Sequence, residues 1–503
     1  MNYIFVQKLN LLNPFKKLAG DTAIYGMSSI IGRILNWILT PYFTFVLIPE
    51  SLGVVTNLYA YAAFLLVLLT YGMETSFFRF ASKSDEPENV YSTSLISLFF
   101  TSLSFVLLAT AFKDEIAALI NYPEHPEYIV WFAVILAIDA FIALPFARLR
   151  LNNRPVKFAV VKLIGIGFTI VFNLFFLSFV PWWVGKDPDS LINLVYSPEI
   201  GVGYVFISNL LASVITMLLL LPEILKVSVQ FNRKLLTKML GYGFPILIVG
   251  LAGVVNQSID KILIPFLVEE DPLYQVGIYG ANYKLAVLMN MFIQAFRYAF
   301  EPFFFSRSDD DNDKQIYATV MKYFVIFGLL IFLGMVLYID LIKFIIDSEY
   351  HVGLKVVPII LTANLFYGIY FALSMWYKLT DRTRYGAYIA LTGAAITVAL
   401  NFILVPQMGY MGSAIAVLAC FTTMMVISYF LGRKYYPIPY NLQRIGIYFL
   451  IAAVIFVLSR FSEDLKTFLK YALHSIYVFI FFLSVFMLEK RQLRGLFKIS
   501  KKK

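Results

Sequence analysis

Residues 150–173, RLNNRPVKFAVVKLIGIGFTIVFN, and residues 378–401, KLTDRTRYGAYIALTGAAITVALN, are two versions of one segment at a constant offset of 228. Leu151, Arg154, Ala159, Leu163, Gly165, Thr169 and Asn173 recur as Leu379, Arg382, Ala387, Leu391, Gly393, Thr397 and Asn401. Seven of 24 positions are therefore identical, with Arg150 facing Lys378 besides. A duplication inside apolar sequence points to a two-part membrane bundle of the transporter kind.

The match extends outward from there. Tyr25-Gly26 pairs with Tyr242-Gly243, and Thr40-Pro41-Tyr42-Phe43 with Ile264-Pro265-Phe266-Leu267. Gly53 and Asn57 correspond to Gly277 and Asn282, and Val90-Tyr91-x-Thr93 to Ile316-Tyr317-x-Thr319. Pro41 and Pro265 sit near the ends of the first helix of each half, where they either kink or terminate it.

Composition fixes the class. Hydrophobic residues make up 60% of the 503 and charged residues 14%, against about 45–50% and about 25% in a soluble chain. A hydrocarbon core about 30 Å thick needs about 20 apolar residues per helix. That rule gives an all-α polytopic fold of about 14 transmembrane helices, over roughly 21–48, 53–79, 91–112, 128–148, 158–180, 201–221, 241–268, 273–304, 317–345, 355–380, 385–405, 409–431, 443–460 and 467–488. Spans 1–6 map onto spans 7–12. Six is even, so both halves enter the membrane in the same direction, as a parallel repeat. The expected organisation is a lead-in over 1–20, an N-lobe over 21–230, a C-lobe over 231–435, two additional helices over 436–488 and a basic tail over 489–503.

Lysine and arginine set the orientation. With the N-terminus inside, cytoplasmic segments hold 28 of the 41 and periplasmic loops 6, so both termini are expected to be cytoplasmic. Arg148, Arg150, Arg154 and Lys157 make one inside loop. The net charge of +10 is then topology plus attraction to anionic head groups, not a nucleic-acid site. Residues 1–20 read as an amphipathic lead-in, not as a cleaved signal peptide. Trp182 and Trp183 open the longest outer loop, as in an interfacial belt.

Charge within spans is the sharper signal, because it is costly there and marks a wet cavity or a partner. Arg33 is mid-span 1, Lys284 mid-span 8, and Arg297 follows it. Together they suit an anionic group such as a phosphate. Asp139 lies mid-span 4, and Asp260 and Lys261 lie in span 7. Either aspartate is a candidate to take up a coupling proton or sodium ion, or to join an ion pair. Asp260 and Lys261 are adjacent, and neighbours in a helix do not share a face. Glu74 and Glu301 are the remaining acidic candidates. Lys162, Lys322 and Lys470, near span ends, fit snorkelling. Gly165, Thr169 and Asn173, spaced i, i+4, i+8, share one face, as do Gly393, Thr397 and Asn401; helix packing accounts for both.

Several chemistries are excluded. The single cysteine, Cys420, permits no disulfide framework and no thiolate metal site. No GxxxxGK[ST] loop is present. His125, His351 and His474 are isolated, without metal or triad spacing. No protein cofactor and no catalytic residue is expected. The 49 Phe and 33 Tyr serve packing and interfacial belts; stacking on sugars is the alternative use.

Three stretches resemble bacterial oligosaccharide (polysaccharide) flippases. They are Lys17-Leu18-Ala19-Gly20-Asp21-Thr22-Ala23-x-Tyr25-Gly26; Leu69-Thr70-Tyr71-Gly72-Met73-Glu74-Thr75-Ser76-Phe77-Phe78-Arg79-Phe80; and Asn401-Phe402-Ile403-Leu404-Val405-Pro406-x-x-Gly409-x-x-Gly412-Ser413-Ala414. Ser413 stands where the family usually has Ala. The family shares a superfamily with multidrug extrusion antiporters and lipid II flippases. The resemblance implies two six-helix lobes around a V-shaped cavity and residence in the bacterial inner membrane. It also implies translocation of undecaprenyl-pyrophosphate-linked oligosaccharide to the periplasmic leaflet by alternating access, in O-antigen, capsule or exopolysaccharide assembly. Arg33, Lys284 and Arg297 would then face the pyrophosphate. The expected partners are that lipid-linked oligosaccharide, membrane lipids and other polysaccharide-assembly proteins. Two other readings stay open: an ion-coupled exporter of small amphipathic molecules, and an integral-membrane glycan polymerase or ligase. The latter lacks the large outer loops such chemistry uses.

Overall fold

The computed structural model describes residues 26–28, 30–187, 192, 196–226, 229–305 and 311–500, without the side chains of 299, 301–305, 311–313 and 491–500. The lead-in 1–20, most of the motif ending at Gly26, the side chain of Glu301 and residues 501–503 lie outside that set.

Helix starts are written in the sequence. α2 (Pro49–Thr70), α4 (Pro87–Ala111), α6 (Pro126–Leu151) and α7 (Pro155–Leu174) each open on a proline, whose fixed φ suits the first turn and whose missing N–H costs nothing there. Asn232 caps α10 (Arg233–Leu267) by accepting from Leu235 N at 3.0 Å. Asn441 caps α19 (Leu442–Arg460) in the same way, from Arg444 N at 3.0 Å. The remaining helices are α1 (30–46), α3 (Met73–Ala81), α5 (Lys113–Leu119), α8 (Val180–Lys186), α9 (Gly203–Leu225), α11 (Pro272–Leu285), α12 (Val287–Phe305), α13 (Asp311–Leu337), α14 (Ile339–Ile342), α15 (Val357–Leu373), α16 (Met375–Leu379), α17 (Arg384–Met408), α18 (Tyr410–Tyr435) and α20 (Thr467–Ser500).

Among the described residues, twelve helical stretches are long and apolar enough to cross a membrane, and they coincide with twelve of the expected spans. Of the other two, 21–48 starts in undescribed sequence and continues as α1. The second, 273–304, is divided into α11 and α12 at Ala286, whose N–H turns to Tyr283 O at 3.1 Å. Large apolar side chains such as Leu107, Phe430 and Phe482 are exposed, as lipid-facing positions require. The chain is an all-helical, multi-pass membrane protein.

Two compact units divide between Gly280 and Ala281. In unit 1, α4 and α9 pack on α6, α7 packs on α9, and α10 lies along α2 and α3. One of its cores holds Met73, Phe77, Tyr91, Leu98, Leu144 and Met239. In unit 2, α15 and α17 pack on α18, and α13 packs on α15 and α19. Its core includes Ile389, Val417, Cys420, Phe421 and Met424.

The repeated segment folds alike in both units. Thr169 donates to Gly165 O at 3.2 Å and Asn173 to Thr169 O at 2.7 Å. Thr397 donates to Gly393 O at 3.0 Å and Asn401 to Thr397 O at 2.7 Å. The glycines are contact points: a Cβ at Gly165 would meet Thr216 Oγ1 at 2.4 Å, and one at Gly393 would meet Met424 Sδ at 2.6 Å. The Gly-Thr-Asn faces are packing surfaces. Pro265 lies inside the final turn of α10, and Pro41 lies in the turn before the last of α1.

Candidate functional site

Asp139 and Asp260, both within helices of unit 1, have different surroundings. Asp139 of α6 is partly buried and accepts from Ser213 Oγ of α9 at 2.9 Å. Tyr59 of α2, bonded to Asn209, feels its charge. No cation stands on Asp139 among the described residues. Asp260 of α10 is fully buried, and Lys261 Nζ reaches both its oxygens, at 2.9 and 3.1 Å. This corrects the expectation that adjacent helical residues do not meet. The four-carbon lysine stem folds back along the helix, and Tyr279 Oη completes the site by donating to Asp260 at 2.6 Å. Asn57 donates to Lys261 O at 2.7 Å and accepts from Tyr122 at 3.0 Å. Burial pushes the Tyr122 hydroxyl above its ordinary range, which keeps it a neutral donor.

The basic loop between α6 and α7 is mostly neutralised. Arg148 grips Glu88 through both carboxylate oxygens at 2.7 Å and donates to Glu223 O at 2.9 Å. Glu223 of α9, 4% exposed, takes Lys157 at 2.7 Å and Arg154 at 3.4 Å. Glu74 pairs with Arg150. These cations tie α4, α6, α7 and α9 together at one end of the unit. Arg33 of α1 is exposed.

In unit 2, Lys284 is exposed near the end of α11. The Arg297 guanidinium lies 4.2 Å from the centroid of the buried Phe371 ring, with Lys378 Nζ 5.0 Å from the same ring. Lys322 does not snorkel: it is buried and bonded to Glu489, itself fully buried. Arg444 and Tyr448 also donate to Glu489, at 3.0 and 2.6 Å, so one carboxylate fastens α19 and α20 to α13. Lys470 bonds Asp340 at 2.5 Å. His474 is buried between Leu337 O at 2.6 Å and Ser462 at 2.9 Å, a structural role. Among the described residues no group of His, Cys, Asp and Glu could hold a metal ion.

The family of polysaccharide biosynthesis proteins matches residues 18–307, more than half of the chain. The chain belongs to this family. No curated protein matches it in sequence. Among solved structures it is similar to the lipid II flippase MurJ in an inward closed conformation, at TM-score 0.70 and 14% identity, covering 93% of this chain and 99% of that one. It is also similar to an inward-facing multidrug resistance MATE family transporter of the MOP superfamily, at TM-score 0.62 and 15% identity, covering 80% and 94%. An outward-facing transporter of that kind gives TM-score 0.56 at 14% identity, covering 82% and 94%. At such identities the likeness is one of fold.

In this polysaccharide biosynthesis protein, the stretch 69–80 is the break between α2 and α3. Tyr71 (φ 35°) and Gly72 (φ 72°) are left-handed, and a Cβ on Gly72 would lie 2.7 Å from Gly243 O. Glycine is needed there on both counts. The stretch 401–414 joins α17 to α18, where Ser413 donates to Asn401 Oδ1 at 2.7 Å. An alanine at that position would leave the amide oxygen unpaired. Nothing in the sequence pattern pointed to Glu223 or Glu489, because each finds its partners far along the chain.

Proposed function

We propose that this protein is a flippase that moves undecaprenyl-pyrophosphate-linked oligosaccharide from the cytoplasmic to the periplasmic leaflet by alternating access, in polysaccharide biosynthesis. Membership of the polysaccharide biosynthesis family is the observation that carries the reading. The fold likeness to the lipid II flippase and to the MATE family transporters supports it. Arg33, Lys284 and Arg297 are the cations proposed to meet the pyrophosphate, whose charge rewards point cations and guanidinium forks. Glycan transport, not glycan chemistry, is the proposed task.

Asp139 is the proposed coupling carboxylate, for a proton or sodium ion, because among the described residues a hydroxyl and no cation is bonded to it. Asp260 is already satisfied by Lys261 and Tyr279, so its proposed role is structural. Asp139 also favours the second reading, an ion-coupled exporter of small amphipathic molecules. Gene deletion separates the two. The flippase reading expects lipid-linked oligosaccharide to accumulate inside the cell and surface glycan to disappear. Drug sensitivity with normal surface glycan overturns it in favour of the exporter.

A further inference from the structure

Glu223 of α9 gathers Arg148, Arg154 and Lys157 in unit 1. At the repeat offset of 228, those three positions are Trp376, Arg382 and Tyr385. In unit 2 they too converge on one side chain, Tyr435 at the end of α18. Its ring stacks on Trp376 at 5.6 Å, its hydroxyl meets Tyr385 Oη at 2.9 Å, and the Arg382 guanidinium lies 4.1 Å from its centroid. Lys434 Nζ lies 5.4 Å from the same centroid. The clasp is repeated, but a phenol stands where unit 1 has a carboxylate. A ring face holds a cation without cancelling its charge.

Positive charge is therefore in surplus at this end of unit 2. Arg382, Arg384, Arg433 and Lys434 are exposed, and among the described residues none of them joins an ion pair. Asp381 is the one acidic residue in the two segments involved, 376–388 and 429–441. The cations stand where three candidate spans end, at Leu379, Arg384 and Tyr435, which is the level of lipid head groups. Trp376 and Arg433 also line a crevice with Tyr429 and Tyr440. Arg384, Tyr388 and Leu391, spaced i, i+4, i+7, share one face of α17, and all three are exposed. A free phosphate would use the cations alone. A phosphodiester carrying acyl chains uses the cations, the interfacial rings and the apolar track together. We infer that this end of unit 2 binds an anionic phospholipid, with its phosphodiester on Arg382 and Lys434 and an acyl chain along Tyr388 and Leu391. Such a site goes beyond the flippase reading and survives its failure.

The test uses full-length protein, purified and delipidated, with binding followed by native mass spectrometry. Phosphatidylglycerol, phosphatidylcholine and inorganic phosphate are titrated separately, and phosphatidylglycerol is expected to bind best. Arg382→Gln and Lys434→Gln should each weaken it about fivefold, the effect of one basic residue at an anionic membrane surface. Arg154→Gln, at the repeat-equivalent position but paired with Glu223, should leave it unchanged. Tyr435→Glu, which gives this clasp the carboxylate of unit 1, should weaken binding more than the neutral Tyr435→Gln. Equal losses in those two variants would make packing the cause and overturn the charge argument. Wild-type affinity in the Arg382→Gln/Lys434→Gln double variant overturns the site. So does an equal loss in Arg154→Gln, which would make the effect one of net charge. Equal binding of phosphatidylcholine overturns the anionic assignment. Binding of inorganic phosphate as tightly as the lipid overturns the lipid assignment.

Discussion

Gly53 of α2 and Gly277 of α11 pack backbone against backbone. A Cβ on Gly53 would fall 1.9 Å from Leu273 O, and one on Gly277 would fall 1.9 Å from Pro49 O and 3.0 Å from Gly53 N. The two are also repeat mates in the sequence, so one ancestral small-residue position supplies both sides of one contact. Gly53→Leu or Gly277→Leu has no room without a backbone shift. Each is expected to destabilise the protein by about 3 kcal/mol, at the upper end of overpacking costs. Gly334→Leu, at a position open to 4 Å, is the control. Melting of detergent-solubilised variants checks this, and equal melting temperatures for all three would refute it.

Asp139 and Asp260 should separate function from stability. Asp139→Asn keeps an oxygen for Ser213 and is expected to fold normally, while transport falls at least about tenfold and loses its dependence on the coupling ion. Asp260→Asn strands Lys261 in a buried site and is expected to cost about 3 kcal/mol of stability. Parallel transport and melting measurements decide, and the opposite assignment of effects contradicts the scheme.

Glu223 holds Arg148, Arg154 and Lys157 at once. Glu223→Gln removes the only charge common to the three. The expected loss is about 2 kcal/mol, less than for a fully buried pair because Arg154 and Lys157 are partly solvated. Adding Lys157→Met should recover part of it. A double variant no better than the single one would show that the pairing is not what matters.

Asp340 lies beyond Leu337, where the stretch able to cross a membrane ends, short of the expected 345, and the Lys470 and Lys343 ammonium groups hold its carboxyl below the ordinary range. A depressed folded-state value means that the pairing stabilises the protein above the ordinary aspartate range and is lost as pH falls through the folded value. Asp340→Asn should therefore melt below wild type at pH 7, with the gap closing on acidification. A gap independent of pH would show that charge is not its cause.

The helices were legible because each is an apolar run bounded by proline, glycine and basic residues, and the Gly-Thr-Asn faces because their spacing is helical. Orphan charges were legible only as individuals. The rule that neighbours on a helix diverge concerns where side chains leave the backbone; Lys261 is long enough to return to Asp260. Lys322 and Glu489 lie 167 positions apart, and no local pattern links them.

Movement of a pyrophosphate-linked glycan lipid between leaflets can be measured directly. Purified protein should be reconstituted into liposomes loaded with a short undecaprenyl-pyrophosphate oligosaccharide, and the fraction open to an impermeant glycosidase followed with time. Exchange of the protected fraction is expected in wild-type vesicles, slowed about tenfold by Arg33→Ala. Exchange no faster than in protein-free vesicles, with the protein folded and correctly inserted, would contradict it.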